Sequence, residues 1–288
     1  MNWNINFITR EELKEHITKT IESYGEKLKP YDIKKMNSNL LDPIKMIFDK
    51  YVYQESWEDL VSGEIFRQRD KSNNNSIGYF HQRIFNYFEY CYVPDNGRDG
   101  GWDVIFEKPE GIILPTGEKV SRIFVEMKNK HNTMNSASAG KTYIKMQNQL
   151  LRDDDCACFL VEAIAKQSQN IKWETSVDGQ KVSHKRIRRV SIDQFYALVT
   201  GQEDAFYQVC LVLPNIINEV VSSGSDVSVP KDSAFKELSN IAASLNLESE
   251  DLSIAMAIYL LGFSSYEGFS NGKNTTLAHL YEYAKRLT

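Results

Sequence analysis

Apolar residues recur at helical spacing near the start of the chain. Leu13, Ile17 and Ile21 follow at intervals of four, which places their side chains on one face of a helix. Residues 9–12 have the pattern of a capping box, in which a Thr and a Glu satisfy backbone N–H groups at the helix start. Gly25 is suited to ending the same helix, so the pattern predicts a first helix over about residues 9–25.

Further helices are predicted in the rest of the N-terminal part. Pro43 suits the first position of a second helix, and a third is expected over residues 56–69. The polar tract 71–76 predicts a loop. The apolar stripe over residues 80–88 predicts a fourth helix after that loop.

Beyond residue 90 the pattern changes to short runs of β-forming residues separated by turns. The most apolar run is short and continuous, which is typical of a central strand buried on both faces. Asp178 and Gly179 are typical of a hairpin turn between the last two strands. Strands are predicted at 102–106, 120–130, 156–163 (the apolar run), 170–177 and 182–191, and a helix at 139–152.

Helical spacing returns in the C-terminal part. Helices are predicted from residue 191 and over residues 205–222, and a Ser/Gly-rich break follows at 222–226. This order of elements predicts an α/β fold, a small mixed β-sheet flanked by helices with helical N-terminal and C-terminal parts. The expected domains are 1–222, with its core at about 78–200, and a helical C-terminal extension at 231–288.

Charge is distributed unevenly along the chain. The net charge is −5, yet residues 117–152 and residues 166–190 each carry seven Lys or Arg against two acidic residues. Two basic segments on an acidic background favour one localised anion-binding face over a general nucleic-acid coat. The alternative is that both segments are ordinary solvated surface.

Other classes of protein are less consistent with the sequence. We find no apolar stretch of membrane-spanning length and no signal segment at the start, so we expect a cytoplasmic protein with no membrane partner. The four cysteines, at positions 91, 156, 158 and 210, match no zinc motif. We therefore expect reduced, buried thiols.

Candidate chemistry lies on two of the predicted strands. Glu126 and Lys128 are two residues apart on an apolar strand, so both side chains lie on the same face. Asp103 lies on the preceding strand, and a hairpin between the two strands would bring it near Glu126. Two carboxylates suit Mg²⁺, and a lysine can orient the attacking water or stabilise charge, which together favour phosphodiester hydrolysis.

The Glu-x-Lys pattern is weak by itself. It also occurs at residues 12–14, and Asp-x-Lys occurs at residues 32–34. Neither of these follows a β-forming run, so neither presents two charges on one strand face. The strand context and the neighbouring basic segments favour catalysis at Glu126 over a surface salt bridge.

Asp103 followed by 126–128 (EMK), a helix and an apolar strand resembles the core of the PD-(D/E)XK nucleases. The departure is that Trp102, not Pro, precedes Asp103. The segments 75–82 (NSIGYFHQ), 126–132 (EMKNKHN) and 195–201 (FYALVTG) are similar to type II restriction endonucleases that cut GGNCC- or GGWCC-type sites. This likeness covers about residues 40–222.

The resemblance implies roles for individual residues. Asp103 and Glu126 would be metal ligands for Mg²⁺, with Mn²⁺ as a substitute, and Lys128 the catalytic lysine. Asp99 is an alternate carboxylate because the register of the Gly-rich loop is open. Glu64 and Gln82 are alternates for a helical metal ligand, although a solvated helix face is the better explanation of each.

The basic and amide side chains near this strand suggest contacts to double-stranded DNA. Lys suits phosphate, and Asn and Gln suit the edges of bases. Arg186 and Arg188 share a strand face and would read guanine or clamp phosphate. The candidates are Lys130, His131, Asn132, Lys141, Lys145, Gln147, Asn148, His184, Lys185, Arg186, Arg188 and Arg189.

A palindromic target predicts a homodimer with one active site for each strand. A restriction-modification system also implies a cognate methyltransferase, which acts on the same site rather than binding this chain. Two alternatives remain: a repair or recombination nuclease of the same fold that reads DNA structure, and a non-catalytic DNA-binding protein.

Overall fold

The computed structural model describes residues 3–25, 29–95, 98–223, 231–245, 247 and 249–263. The chain forms two compact units, one of residues 1–24 and 74–226 and the other of residues 25–73 and 227–288. This division differs from the one expected from the sequence, because residues 25–73 group with the C-terminal segment and not with the sheet. Parts of the expected break and extension, residues 224–226, 246, 248 and 264–288, lie outside the described residues.

The first unit contains a six-stranded mixed sheet in the order β1-β2-β3-β4-β6-β5. The pairs β3–β4 and β4–β6 are parallel, and the others are antiparallel. This arrangement confirms the α/β fold class with a small mixed sheet. The strands are β1 (Cys91–Tyr92), β2 (Val104–Ile113), β3 (Lys119–Lys130), β4 (Cys156–Ile164), β5 (Asn170–Val177) and β6 (Gln180–Ser191).

Helices cover the sheet and build the second unit. A 3₁₀ turn at Ile84–Tyr87 follows α4, and another at Asp99–Gly101 precedes β2. The helices are α1 (Arg10–Gly25), α2 (Ile33–Asn37), α3 (Pro43–Tyr53), α4 (Trp57–Arg83), α5 (Ser136–Arg152), α6 (Ile192–Thr200), α7 (Ala205–Ser222), α8 (Ala234–Ser244) and α9 (Glu250–Phe263).

Strand β4 is central because both of its faces are covered. Phe159 and Val161 lie in one core with α1, α6 and α7, while Cys158 and Leu160 lie in a second core with α5. A strand buried on both sides needs apolar residues at every position, not at alternate ones. The continuous apolar run in the sequence therefore predicted this strand correctly.

The polar tract 71–76 was expected to be a loop, and this prediction is wrong. Helix α4 continues through it to Arg83. Ser76 is buried and its hydroxyl lies 2.9 Å from that of Ser23, while the Asn129 side chain donates to the Asn74 carbonyl. Ser and Asn cost only about 0.5 kcal/mol each in a helix, so such tertiary contacts outweigh their weak preference for turns.

Helix α7 meets the length and composition of a membrane span, although no such stretch was expected from the sequence. Its Val209 and Ile216 are buried in the core that faces the sheet. Its Glu219 pairs with Lys14 of α1 at 2.7 Å. These contacts are those of a helix packed against the sheet.

Replacing Phe159 by Ala should lower the free energy of unfolding by about 3–5 kcal/mol, because it leaves a cavity in the fully buried centre of the sheet. The matched control is Leu151→Ala in α5, where the side chain is 85% exposed and the expected change is below about 0.5 kcal/mol. Urea denaturation measures both. Equal stabilities of the two variants would contradict the central position of β4.

Candidate active site

Strand β3 presents its two charged residues on one face of the sheet. Glu126 and Lys128 alternate with Val125 and Met127, which are buried in the opposite core. The parallel pairing with β4 places Lys128 beside Glu162. The face that carries Glu126 and Lys128 is also the face covered by α5, as Phe124 lies in the core that contains residues of that helix.

Asp103 was expected within a strand over residues 102–106. In the structure it lies immediately before β2, which begins at Val104. Its backbone N–H still donates to the Val125 carbonyl at 2.9 Å, which continues the pairing with β3. Its Oδ2 accepts a hydrogen bond from the Met127 N–H at 2.6 Å. These two bonds fix the carboxylate beside the backbone of residue 127, next to Glu126.

The Glu126 carboxylate forms ion pairs with two ammonium groups. Lys128 Nζ lies 2.7 Å from its Oε1, and Lys145 Nζ from α5 lies 2.8 Å from its Oε2. The Glu126 side chain is only 16% exposed, so both ion pairs form largely away from water. Such a shielded group of charges costs desolvation energy, which is typical of a functional site.

The two carboxylates differ in pKa. Burial raises the pKa of Asp103, and the nearby negative charge of Glu126 adds to this effect against the hydrogen bond from Met127. Burial acts in the same direction on Glu126, but hydrogen bonds and charge from Lys128 and Lys145 outweigh it, and the pKa is lowered. Glu126 is thus kept ionised and Asp103 is the more readily protonated of the pair.

Lys145 belongs to this centre, although the sequence analysis assigned it to DNA contacts. Its ammonium also donates to the Gly101 carbonyl at 2.7 Å and lies 4.1 Å from the centroid of the Trp102 ring. The lysine therefore connects Glu126 with the segment that leads directly into Asp103. The sequence could not predict this position of the Lys145 ammonium, because the packing of α5 on the sheet decides where the side chain reaches.

Neither Asp99 nor Gln82, two of the alternate metal ligands, shares the position of Asp103. Asp99 is exposed in the 3₁₀ turn, with a positive φ of 47°. Gln82 lies one turn after Gly78 on α4, and Gly78 approaches the Asn129 side chain. Because side chains alternate along β3, Asn129 points to the opposite face from Glu126 and Lys128. Glu64 belongs to the second unit, where it pairs with Arg67 at 2.6 Å and accepts from Gln68.

A third carboxylate, Glu162, lies beside the centre, and the interpretation of the sequence did not single it out. Glu162 on β4 is fully buried, and its carboxylate binds Arg189 and lies 3.0 Å from His131 Nδ1. Arg189 also donates to the His131 carbonyl at 3.1 Å. The one feature of the sequence that could have identified Glu162 is that it is a single charged residue inside the apolar run of β4. The group anchors the loop that follows β3.

The basic run on β6 is largely engaged within the protein. Lys185 and Arg186 both bind Glu118, at 2.8 and 3.1 Å. Arg188 is buried and its guanidinium binds Asn170 on β5. Arg188 is therefore placed neither to read guanine nor to clamp phosphate, because the neighbouring strand covers it, whereas Arg186 stays a candidate for either role.

The remaining DNA candidates are accessible. They lie on the loop after β3, on α5 and on β6. The exposed ones are Lys130, Asn132, Lys141, Gln147, Asn148 and His184.

The donor set suits one type of metal site. Within the described parts of the chain, no group of three or more His, Cys, Asp or Glu side chains could hold a metal ion. Two neighbouring carboxylates fit an ion such as Mg²⁺, which binds through one or two carboxylates and keeps waters and substrate phosphate as its other ligands. They do not fit zinc, which takes three or four protein ligands.

Comparison with known proteins identifies the family of this chain. A family model described as Eco47II restriction endonuclease matches residues 5–222. The chain is 30% identical over 230 residues to the type II restriction enzyme Sau96I of Staphylococcus aureus, covering 77% of this chain and 83% of that one. It is 28% identical over 246 residues to the type II restriction enzyme Eco47II of Escherichia coli, covering 81% and 96%.

The matched segment contains the whole sheet and every residue of the centre described above. These matches confirm the resemblance to type II restriction endonucleases that the sequence motifs indicated. Since the family model covers more than half of the chain, the protein belongs to the Eco47II restriction endonuclease family.

Proposed function

We propose that this restriction endonuclease cuts both strands of a short palindromic DNA site with a Mg²⁺-dependent centre formed by Asp103, Glu126 and Lys128. The observation that carries the proposal is the convergence of two carboxylates and a lysine on one face of β3, with Asp103 bonded to the Met127 N–H and Lys128 bonded to Glu126. The motif resemblance favours a GGNCC- or GGWCC-type target. Mn²⁺ is the expected substitute metal.

The residues of the chain would divide the work of hydrolysis. A divalent ion, when bound, polarises a phosphoryl oxygen and lowers the pKa of a bound water. Asp103 and Glu126 would hold it, and the hydrogen bond from Met127 fixes the orientation of Asp103. Lys128, on the same strand face, would orient the attacking water and stabilise the charge that develops on the phosphate.

The remaining partners follow from the target. A two-fold homodimer matches a palindrome, with one centre for each strand. Exposed side chains of the loop after β3 and of α5, including Asn132, Lys141, Gln147 and Asn148, would contact the duplex. We place the enzyme in the cytoplasm, where a cognate methyltransferase modifies the same site without binding this chain.

Plasmid DNA incubated with the protein and Mg²⁺ should give discrete bands on a gel, and EDTA should abolish them. A smear, or nicking that depends on forked DNA, would instead favour a nuclease that reads DNA structure. A protein that binds the plasmid but cuts nothing with Mg²⁺ or Mn²⁺ would favour the non-catalytic alternative.

Lys128→Ala should lower the cleavage rate by about 10²-fold or more, because a preorganised charge at the reacting phosphate is removed. Single-turnover cleavage of one defined duplex measures this rate. The control is Lys119→Ala, an exposed lysine nine residues earlier on β3, about 30 Å away at about 3.3 Å per residue. Discrete cutting that survives Lys128→Ala would contradict the proposed mechanism.

Asp103→Asn should abolish cleavage and spare or tighten DNA binding, because a negative charge that faces phosphate is lost while the side-chain volume is kept. Asp99→Asn in the neighbouring exposed turn is the matched control and should cut normally. Gel-shift and cleavage assays on the same duplex separate binding from chemistry. The opposite result, with Asp99 essential and Asp103 dispensable, would assign the metal ligand to the turn.

Lys141→Ala should weaken DNA binding equally for specific and unrelated sequences and reduce the slope of log K against log salt by about 1, as expected when one phosphate contact is lost. Fluorescence anisotropy between low and moderate salt measures the slope. Lys119→Ala again serves as the control. An unchanged slope for Lys141→Ala would exclude this face of α5 from the DNA interface.

A further inference from the structure

Lys145 is positioned more tightly than a phosphate-binding lysine requires. Its ammonium has three partners: Glu126 Oε2 at 2.8 Å, the Gly101 carbonyl at 2.7 Å and the face of the Trp102 ring at 4.1 Å. A lysine can reach DNA phosphate from solvent on its flexible stem without any such partners in the protein. Lys145 is instead a fixed cation within the centre.

The partners of Lys145 include the residues that lead into Asp103. Gly101 and Trp102 directly precede Asp103, so the lysine is held between the segment that carries one carboxylate and the side chain of the other. The oxygen that it occupies, Glu126 Oε2, is one of two on that carboxylate, and Lys128 binds the other, Oε1. Both oxygens of Glu126 are therefore bound by lysine cations.

A divalent ion needs one of these oxygens. Mg²⁺ binds carboxylate oxygen at about 2.0–2.1 Å, and an ammonium nitrogen 2.8 Å from the same atom lies in the space that the ion and its waters require. Two cations on one carboxylate oxygen also repel each other. Lys128 is attached to the same strand as Glu126, whereas Lys145 reaches in from α5 and can withdraw without any change in β3.

We propose that Lys145 is a built-in competitor for the divalent ion, which neutralises Glu126 until metal binds and is then displaced from Glu126 and from the Trp102 ring. This inference rests on the proposed function, since it takes Glu126 as a metal ligand. The displaced ammonium remains on the helix beside Lys141, where it adds to the positive charge available to DNA phosphate. Metal binding and DNA binding thereby favour each other.

Metal affinity of the DNA-free protein tests the competition. Isothermal titration calorimetry with Mn²⁺ should give a Kd about fivefold lower for Lys145→Met than for the wild type, because the competing cation is absent while the apolar stem is kept. The matched control is Lys141→Met, which removes one exposed charge from the same helix and should change Kd by less than about twofold. Lys145→Arg keeps the charge and should bind no more tightly than the wild type.

Trp102 fluorescence tests the displacement itself. Mg²⁺ should change the emission of the wild type, and this change should be lost in both Trp102→Phe and Lys145→Met, because each lacks the cation–π contact that metal binding breaks. Lys141→Met should keep it. An emission change in Lys145→Met equal to that of the wild type would overturn the displacement.

The outcomes separate this inference from the proposed function. If Glu126→Gln abolishes Mn²⁺ binding while Lys145→Met binds no more tightly than Lys141→Met, the metal site stands and the competition is wrong. If Glu126→Gln leaves Kd unchanged, Glu126 is not a metal ligand, and both proposals fail. Thermal unfolding of each variant establishes that the fold is retained before Kd is compared.

Discussion

The pairing of β3 with both of its neighbours is the constraint on which the centre depends. Its antiparallel bonds to β2 bring Asp103 beside the backbone of Met127, and its parallel bonds to β4 fix which residues face α5. A shift of one residue in this register would turn Glu126 and Lys128 into the apolar core and expose Val125 and Met127. The buried faces on both sides of the sheet make such a shift costly, so the core specifies which face carries Glu126 and Lys128.

Charge balance explains how that face is stable before any ligand arrives. Glu126 is kept ionised by Lys128 and Lys145, and Glu162 one strand further is neutralised by Arg189. A buried carboxylate without such a partner would cost several kcal/mol. The centre therefore holds its own cations, and the proposed exchange of Lys145 for a divalent ion replaces one cation by another without leaving Glu126 unpaired.

Family membership and geometry bear on different questions. The match to the Eco47II restriction endonuclease family identifies the chain as a restriction endonuclease. The structure identifies which side chains meet, and it separates Asp103 from the exposed Asp99 and the buried Arg188 from the exposed His184 and Lys185. The proposed roles of Asp103, Glu126 and Lys128 rest on their convergence on one face of the sheet and on the chemistry of the three groups.

The sequence by itself determined the features that depend on local periodicity. The apolar run of β4, the alternation around Glu126 and Lys128, and the Thr9 capping box all appear in the structure as expected, because each is decided by neighbours a few residues away. Tertiary structure alone decided the rest. The tract 71–76 became helical through contacts with Ser23 and Asn129, and Lys145 entered the centre through the packing of α5. Such outcomes depend on partners distant in the chain, and no local pattern of residues encodes them.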